Sequence, residues 1–534
     1  MESRSWYPNY VLCALARFAS FGHRTALTQQ NRTLSYLQAR RLVLDIADRL
    51  RAAGVRPGSV VGVFVGHRIE SPLLQLALHL VGVRSVWIDV TANPHEVDQY
   101  LGLVPLDVLV YDARTVAEPG AALGGRLGVR MLCLGPDGAG PDLLESTAAE
   151  PTPVAADVEP DSVFQTSGTT GVPKSVHHRH GFYAQLGELA DDLVATDQWN
   201  IRHLSLTRLS HPSGQISTLL YLFSGGTLVF MTAFEPAEFI ATIERERVTS
   251  IFMAPPMFYQ LLDHPALADT DLSSLATVNI GCAALNPARL RQGIDRFGPI
   301  LRVTYGLSES PFVAAHPGVG VDPDRLRSCG RLYGDVRVEI RDETGTPVGI
   351  DETGELWVSS RLNFAGYWGQ PDLTADTLVD GWVRTRDLGY RDADGYFYLV
   401  GRTQDMILAG IGSKCVYPRP IEDVLATHPH VRMAAVIGVP SEDHGEAVHA
   451  FVVREPNTTV SVAELAALVG DHLNPAWIPR TIDFVDSLPT TAIGKVNTRA
   501  LRDQYTRSHQ PAAVGTTVVG TAALNATALG TAAQ

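Results

Sequence analysis

The chain has 534 residues, of which 45% are hydrophobic and 19% charged, with a formal net charge of -14. That length supplies apolar material for a large core and for more than one domain. The acidic balance, with no block of lysines and arginines, excludes a general nucleic-acid-binding surface.

The five cysteines (Cys13, Cys133, Cys282, Cys329 and Cys415) lie far apart, with no CxxC pair and no histidine spacing suited to zinc. Reduced thiols and a cytoplasmic location are expected. The N-terminus lacks the apolar core of a signal peptide, and no run of about 20 apolar residues is present to span a bilayer. The longest candidate, Ser71 to Val90, carries His79 and Arg84. It reads as an amphipathic helix followed by a strand over Ser85 to Val90.

From about Thr33 to Asp112, helix-period segments such as Leu37 to Ala53 alternate with β-rich runs at Val60 to Val65 and Val108 to Tyr111. Such alternation predicts an α/β fold with largely parallel, layered sheets. A second alternating block runs from Gly181 to about Val313, with helices at 236–247 and 287–296 and strands at 249–253 and 300–304. Between roughly 326 and 400, short strands and turn signals at Asp342 to Gly345, Asp351 to Gly354 and Asp392 to Gly395 predict a β-rich subdomain. A further α/β unit follows Gly401 and ends near Tyr505. The final stretch is almost entirely Ala, Gly, Thr and Val, and predicts a disordered tail. The expected division is a large domain over 1–400, a hinge at 401–405, a small mobile C-terminal α/β domain over 406–507 and a tail over 508–534.

Chemistry concentrates first in Gln165 to Ser175, where Thr166, Ser167, Gly168, Thr169, Thr170 and Gly171 precede Lys174. Glycine backbone N–H groups and small hydroxyls can wrap a polyphosphate, with the lysine as counter-charge. A Walker A loop would need glycine immediately before the lysine, and Pro173 stands there. This segment resembles the phosphate loop of the adenylate-forming superfamily, which contains acyl- and aryl-CoA ligases, luciferases and peptide-synthetase adenylation domains. The resemblance continues in the family's order over roughly residues 25 to 503.

Thr304 to Glu309 resembles the family's aromatic-Gly-x-Thr-Glu motif, with Ser308 in place of the threonine. Tyr305 and Gly306 would meet adenine, Ser308 the α-phosphate, and Glu309 would offer a hard oxygen to Mg²⁺. Asn279 to Leu285 resembles the Gly-Gly-Ala-Pro segment that lines the adenine and acyl pockets, through Gly281, Cys282 and Ala283. Cys282 and Ala284 depart from that pattern. Trp382 to Tyr390 is similar to the T-x-D-x-G segment, which gives Asp387 the ribose hydroxyls. Gly401 to Ile407 resembles the hinge motif, with Arg402 at the nucleotide and Asp405 absorbing the domain rotation. Leu488 to Lys495 resembles the C-terminal loop whose lysine bridges the substrate carboxylate and the α-phosphate, so Lys495 is the expected catalytic cation.

The segment Leu209 to Gln215 resembles the histidine-containing segment of acyl- and aryl-acid members. It implies a carboxylic-acid substrate, aliphatic, aryl or polycyclic, covered by His211, with Gln215, Gly281 and Gly306 lining its pocket. The resemblance implies ATP and Mg²⁺, with CoA as the ordinary acyl acceptor. After Asp405, however, Gly410 and Gly412 are separated by Ile411 in a loop about two residues longer than the family's. The expectation is therefore acyl-AMP formation with an altered thiol step, the acyl group going to CoA or to a partner ligase or carrier protein. A complete acyl- or aryl-CoA ligase, an inactive binding homologue, a luciferase-like oxygenase and a stand-alone peptide-synthetase domain are the alternatives.

Overall fold

A computed structural model describes residues 6–7, 9–145, 157–166, 174–196, 200–283, 285–316, 323–409, 414–441, 445–473, 477–490 and 496–509. Local chemistry sets the helix starts. Ser35 accepts from the Gln38 backbone while the Gln38 side chain returns a bond to the Ser35 N–H, so a capping box opens the Tyr36–Ala52 helix. The Glu70–Val81 helix is buried on every face, as a helix held between two layers must be. Two of its polar side chains are met inside the core: the Tyr10 hydroxyl lies 2.7 Å from His79 Nδ1, and Gln75 accepts from Trp87 at 3.0 Å. Among the described residues no helix is long and apolar enough to cross a membrane.

The first layer is a six-stranded sheet in the order Arg130–Leu134, Val108–Asp112, Val60–Phe64, Arg84–Trp87, Asp161–Thr166, Lys174–Arg179. The first five strands are parallel, and Lys174–Arg179 returns antiparallel at the edge. A nine-stranded sheet forms the second layer, and its parallel centre carries Thr277–Ile280 beside Leu301–Leu307. From there the chain turns back as an antiparallel hairpin into Ser310–His316. Helices between the layers build the main core around Tyr36, Leu73, Leu76, Tyr183, Leu219 and Phe223.

The β-rich segment is a five-stranded sheet in which Trp382–Arg391 pairs antiparallel with Gly354–Ser359 on one side and Phe397–Arg402 on the other. The C-terminal α/β unit has its own five-stranded sheet centred on Gly445–Arg454 and its own core of Ile407, Val416, Ile421, Leu425, Val448 and Leu465. Its last helix, Thr498–His509, runs past residue 507, and the expected tail beyond it lies outside the described residues.

Buried histidines give the fold a pH limit. Burial pushes His79 and His203 down from 6.5 to about 3, and His67 and His449 to about 4. The unfolded chain binds these protons near 6.5 and the folded chain does not, so stability is full above that value and is lost as pH falls toward 3–4. Each residue contributes a slope of up to about 1.4 kcal/mol per pH unit in that window. Urea midpoints measured from about pH 7 down to about pH 4 are expected to fall steadily. A flat profile would contradict the burial of neutral imidazoles.

Candidate functional site

Three strand systems converge at the C-terminal end of Leu301–Leu307. Gly281 follows Thr277–Ile280, and a Cβ there would lie 2.6 Å from Thr304 Oγ1, so only glycine lets the two segments approach. Thr304 itself donates to the Ile280 carbonyl at 3.3 Å. The next residue, Cys282, sits at φ +73, a left-handed conformation unusual for a side-chain-bearing residue. Gly306 marks a register shift in the hairpin, and a Cβ on it would meet the Phe312 N at 2.9 Å. Ser308 and Glu309 form the turn.

Asp387 is the centre of the first cluster. Its Oδ2 accepts from the Tyr305 hydroxyl at 2.6 Å and its Oδ1 from Arg402 Nε at 2.8 Å. Asp387 and Arg402 face each other in antiparallel register, so the sheet itself delivers the pair. The carboxylate holds the Arg402 guanidinium more firmly protonated than usual, while burial and then Asp387 push the Tyr305 hydroxyl well up. Each carboxylate oxygen keeps a second lone pair, which suits a diol.

Glu309 anchors the second cluster. Its Oε1 accepts from the Tyr367 hydroxyl at 2.6 Å, and its carbonyl accepts from Phe364 N at 2.8 Å. Lys174 Nζ lies 5.4 Å from the centre of the Tyr367 ring. Burial and Glu309 push the Tyr367 hydroxyl up, keeping it a donor. No group of three or more His, Cys, Asp or Glu side chains that could cage a metal occurs among the described residues. A lone carboxylate instead fits Mg²⁺ that arrives with phosphate oxygens, since that ion is usually held by one or two carboxylates plus substrate.

His211 stands at the N-cap position of the Pro212–Ser224 helix, and its Nε2 lies 3.3 Å from Asp89 Oδ2. Asp89 also accepts from Arg208 at 3.0 Å and from the Thr91 backbone and hydroxyl at 2.8 and 2.7 Å. Burial pushes the Asp89 carboxyl up, but the nearby His211 imidazole and the bonds from Thr91 outweigh it and hold the group well below the usual range. Gln215 is fully buried, accepting from Tyr183 at 2.9 Å and donating to the Leu209 carbonyl at 3.1 Å. Both ends of its amide are used in the core, so contact with an acid would require that network to open. Asp405 donates its N–H to Arg402 O at 3.0 Å, and burial raises its carboxyl against the pull of Arg402 and Arg502.

The structure therefore gathers Thr304, Tyr305, Ser308, Glu309, Asp387 and Arg402, with Lys174 beside them. Ser167, Gly168, Thr169, Thr170, Gly171 and Lys495 lie outside the described residues, as do Ala284 and Gly410–Ser413. Sequence reasoning missed Tyr367 and Asp89. Each reaches its partner across a long stretch of chain, and no local spacing announces such a contact. Arg419 also crosses from the C-terminal unit, donating to the Leu285 carbonyl at 2.8 Å.

A family model described as AMP-binding enzyme matches residues 15–368, and one described as AMP-binding enzyme C-terminal domain matches residues 420–495. The medium/long-chain-fatty-acid–CoA ligase FadD8 of Mycobacterium tuberculosis is 41% identical over 375 residues, 68% of this chain and 65% of that protein. The match to that relative thus spans just under two thirds of its length. A feruloyl-CoA synthase of Amycolatopsis is 33% identical over 497 residues, covering 90% of this chain and 96% of that one. Among solved structures, the amide bond synthetase McbA of Marinactinospora thermotolerans matches with a TM-score of 0.84 at 33% identity, over 93% of this chain and all of its own.

The Asp387 cluster can be tested without substrate. Tyr305→Phe deletes one donor to a buried carboxylate and is expected to cost about 1–3 kcal/mol of unfolding free energy by chemical denaturation. An unchanged unfolding free energy would mean that the bond contributes nothing.

Proposed function

Because this chain belongs to the AMP-binding enzyme family of acid-activating, AMP-forming ligases, we propose that it uses its Asp387 and Glu309 clusters to join a carboxylic acid to ATP. The observation that carries this reading is the meeting of a diol-suited carboxylate, Asp387, and a metal-suited carboxylate, Glu309, at the two ends of one short segment, Tyr305 to Glu309. Asp387 accepts the ribose hydroxyls, and Arg402 and Tyr305 fix its orientation. The Tyr305 ring and the Gly281–Ala283 segment hold adenine. Ser308 donates to the α-phosphate, while Thr166 to Gly171 and Lys174 enclose the outer phosphates. Mg²⁺ bound with ATP at Glu309 supplies charge neutralisation on those phosphates.

In the step itself, a carboxylate oxygen of the acid bonds to the α-phosphorus as the bond to the bridging oxygen breaks, and pyrophosphate departs with that electron pair. No proton has to move. Negative charge accumulates between two anions, and Lys495 is the cation that offsets it. His211 covers the acid, and the small domain turns about Asp405 to bring Lys495 in and then withdraw it.

The second step passes the acyl group to a nucleophile. CoA is the acceptor supported by the names of the ligase relatives. The split glycines at Gly410 and Gly412 support a weakened thiol step, with the acyl group handed to a partner ligase or carrier protein. An amine acceptor is chemically compatible with the site as well: Asp89 lies 3.3 Å from His211, and a carboxylate-oriented imidazole can take the proton that an attacking amine or thiol must lose. The similarity to an amide bond synthetase supports the same reading.

Purified protein given ATP, Mg²⁺ and a panel of fatty, aryl and polycyclic acids is expected to release pyrophosphate only when an acid is present. Adding CoA or a primary amine and resolving acyl-AMP, acyl-CoA and amide by mass spectrometry identifies the acceptor. Rapid, complete conversion to acyl-CoA would remove the proposal of an altered thiol step. Lys495→Ala is expected to slow acyl-AMP formation by at least about 10²- to 10³-fold while sparing conversion of supplied acyl-AMP. Equal loss of both steps would contradict a role confined to the first.

A further inference from the structure

His178 belongs to none of the motifs that point to the site. It lies in the edge strand Lys174–Arg179, where alternate side chains share a face, so Lys174, Val176 and His178 project to the same side. On that face Lys174 approaches Tyr367, and His178 Nε2 lies 2.8 Å from the Ser308 carbonyl oxygen. A carbonyl only accepts, so Nε2 carries the hydrogen and Nδ1 is the bare nitrogen. The ring is fully buried and packs on Phe182 with centroids 4.1 Å apart. No partner reaches Nδ1 among the described residues.

An apolar side chain would fill this buried position without leaving a ring nitrogen unmet, which ordinarily costs stability. What the histidine adds is one bond, and that bond joins the strand carrying Lys174 to the turn carrying Ser308 and Glu309. The other side of the turn is held by Phe364 N on the Glu309 carbonyl and by the Tyr367 hydroxyl on its carboxylate. The segment supplying those two groups is itself laid on the same strand, with His177 N donating to Gly366 O at 3.0 Å and Ala365 N to His177 O at 2.8 Å. The contacts close into a ring around the Ser308–Glu309 turn, and His178 is the side of that ring made by a side chain to the turn's own backbone.

We propose that His178 is a positioning residue for MgATP, setting the height of the Ser308 hydroxyl and the Glu309 carboxylate relative to Lys174. The inference rests on the reading of Ser308 and Glu309 as the α-phosphate and Mg²⁺ groups. With the bond to Ser308 absent, the turn is free to move away from the lysine face, and the gain in ATP affinity that Mg²⁺ brings is lost.

Calorimetric titration of ATP with and without Mg²⁺ tests this directly. His178→Met and His178→Phe keep bulk but remove the donor, the latter retaining the stack on Phe182. Both are expected to weaken MgATP binding about tenfold, the equivalent of one buried hydrogen bond. Binding of ATP without Mg²⁺ should change by less than about threefold, and His178→Gln, which restores an N–H donor, should recover most of the loss. MgATP affinity in either folded donor-free variant equal to that of the unmodified protein would overturn the proposal. So would equal impairment of the Gln and Met variants, or the absence of any Mg²⁺-dependent gain in the unmodified protein. Acid-dependent pyrophosphate release, assayed in parallel, reports on the acid-activating reading separately, because nucleotide binding is read here without turnover.

Discussion

The carboxylate of Asp387 is the constraint on which the rest of the site depends. It is 5% exposed and takes a phenol on one oxygen and a guanidinium on the other. Tyr305 comes from the nine-stranded sheet, Asp387 from the middle of the β-rich sheet, and Arg402 from the end of that sheet's last strand, just before the C-terminal unit. A single charge therefore ties two sheets together and fixes the point from which the C-terminal unit departs. Removing a buried charge from water is costly unless it is paired and hydrogen-bonded, and this geometry meets both conditions. The same geometry leaves a lone pair on each oxygen, so in the proposed function stability and binding draw on one group.

Glu309 and Asp89 repeat the arrangement. Glu309 has the Tyr367 hydroxyl, and Asp89 has Arg208, Thr91 and His211. At Asp387 and Glu309 the carboxylate is oriented by a phenol that stays protonated, burial having raised Tyr305 and Tyr367. Fixed dipoles and charges set before the substrates arrive need no reorganisation during the reaction. The energetic cost of building them is offset by the large apolar core between the layers, where the Glu70–Val81 helix is buried on all sides.

Much of this was legible in the sequence, for physical reasons. The alternation of helix-period and strand-period segments follows from which faces must be buried, and the Tyr36–Ala52 and Pro287–Phe297 helices and the Val60–Phe64 and Val108–Asp112 strands lie where that alternation places them. The Ser308–Glu309 turn and Asp387 were legible because their chemistry is carried by short contiguous segments. Tyr367, Asp89 and the burial of Gln215 were not, because each depends on contacts between residues far apart in the chain. His178 stands between these cases: its spacing from Lys174 along a strand marks a shared face, but only the fold shows that the face meets the Ser308 carbonyl.

In the proposed function these residues build a site for joining an acid to the α-phosphate of ATP, independently of what later accepts the acyl group. Acid-dependent exchange of labelled pyrophosphate into ATP, run with no thiol or amine present, isolates that step. Exchange is expected to require both a carboxylic acid and Mg²⁺ and to disappear in Asp387→Ala. Exchange undiminished in that variant, or none with any acid across a broad panel, would contradict it.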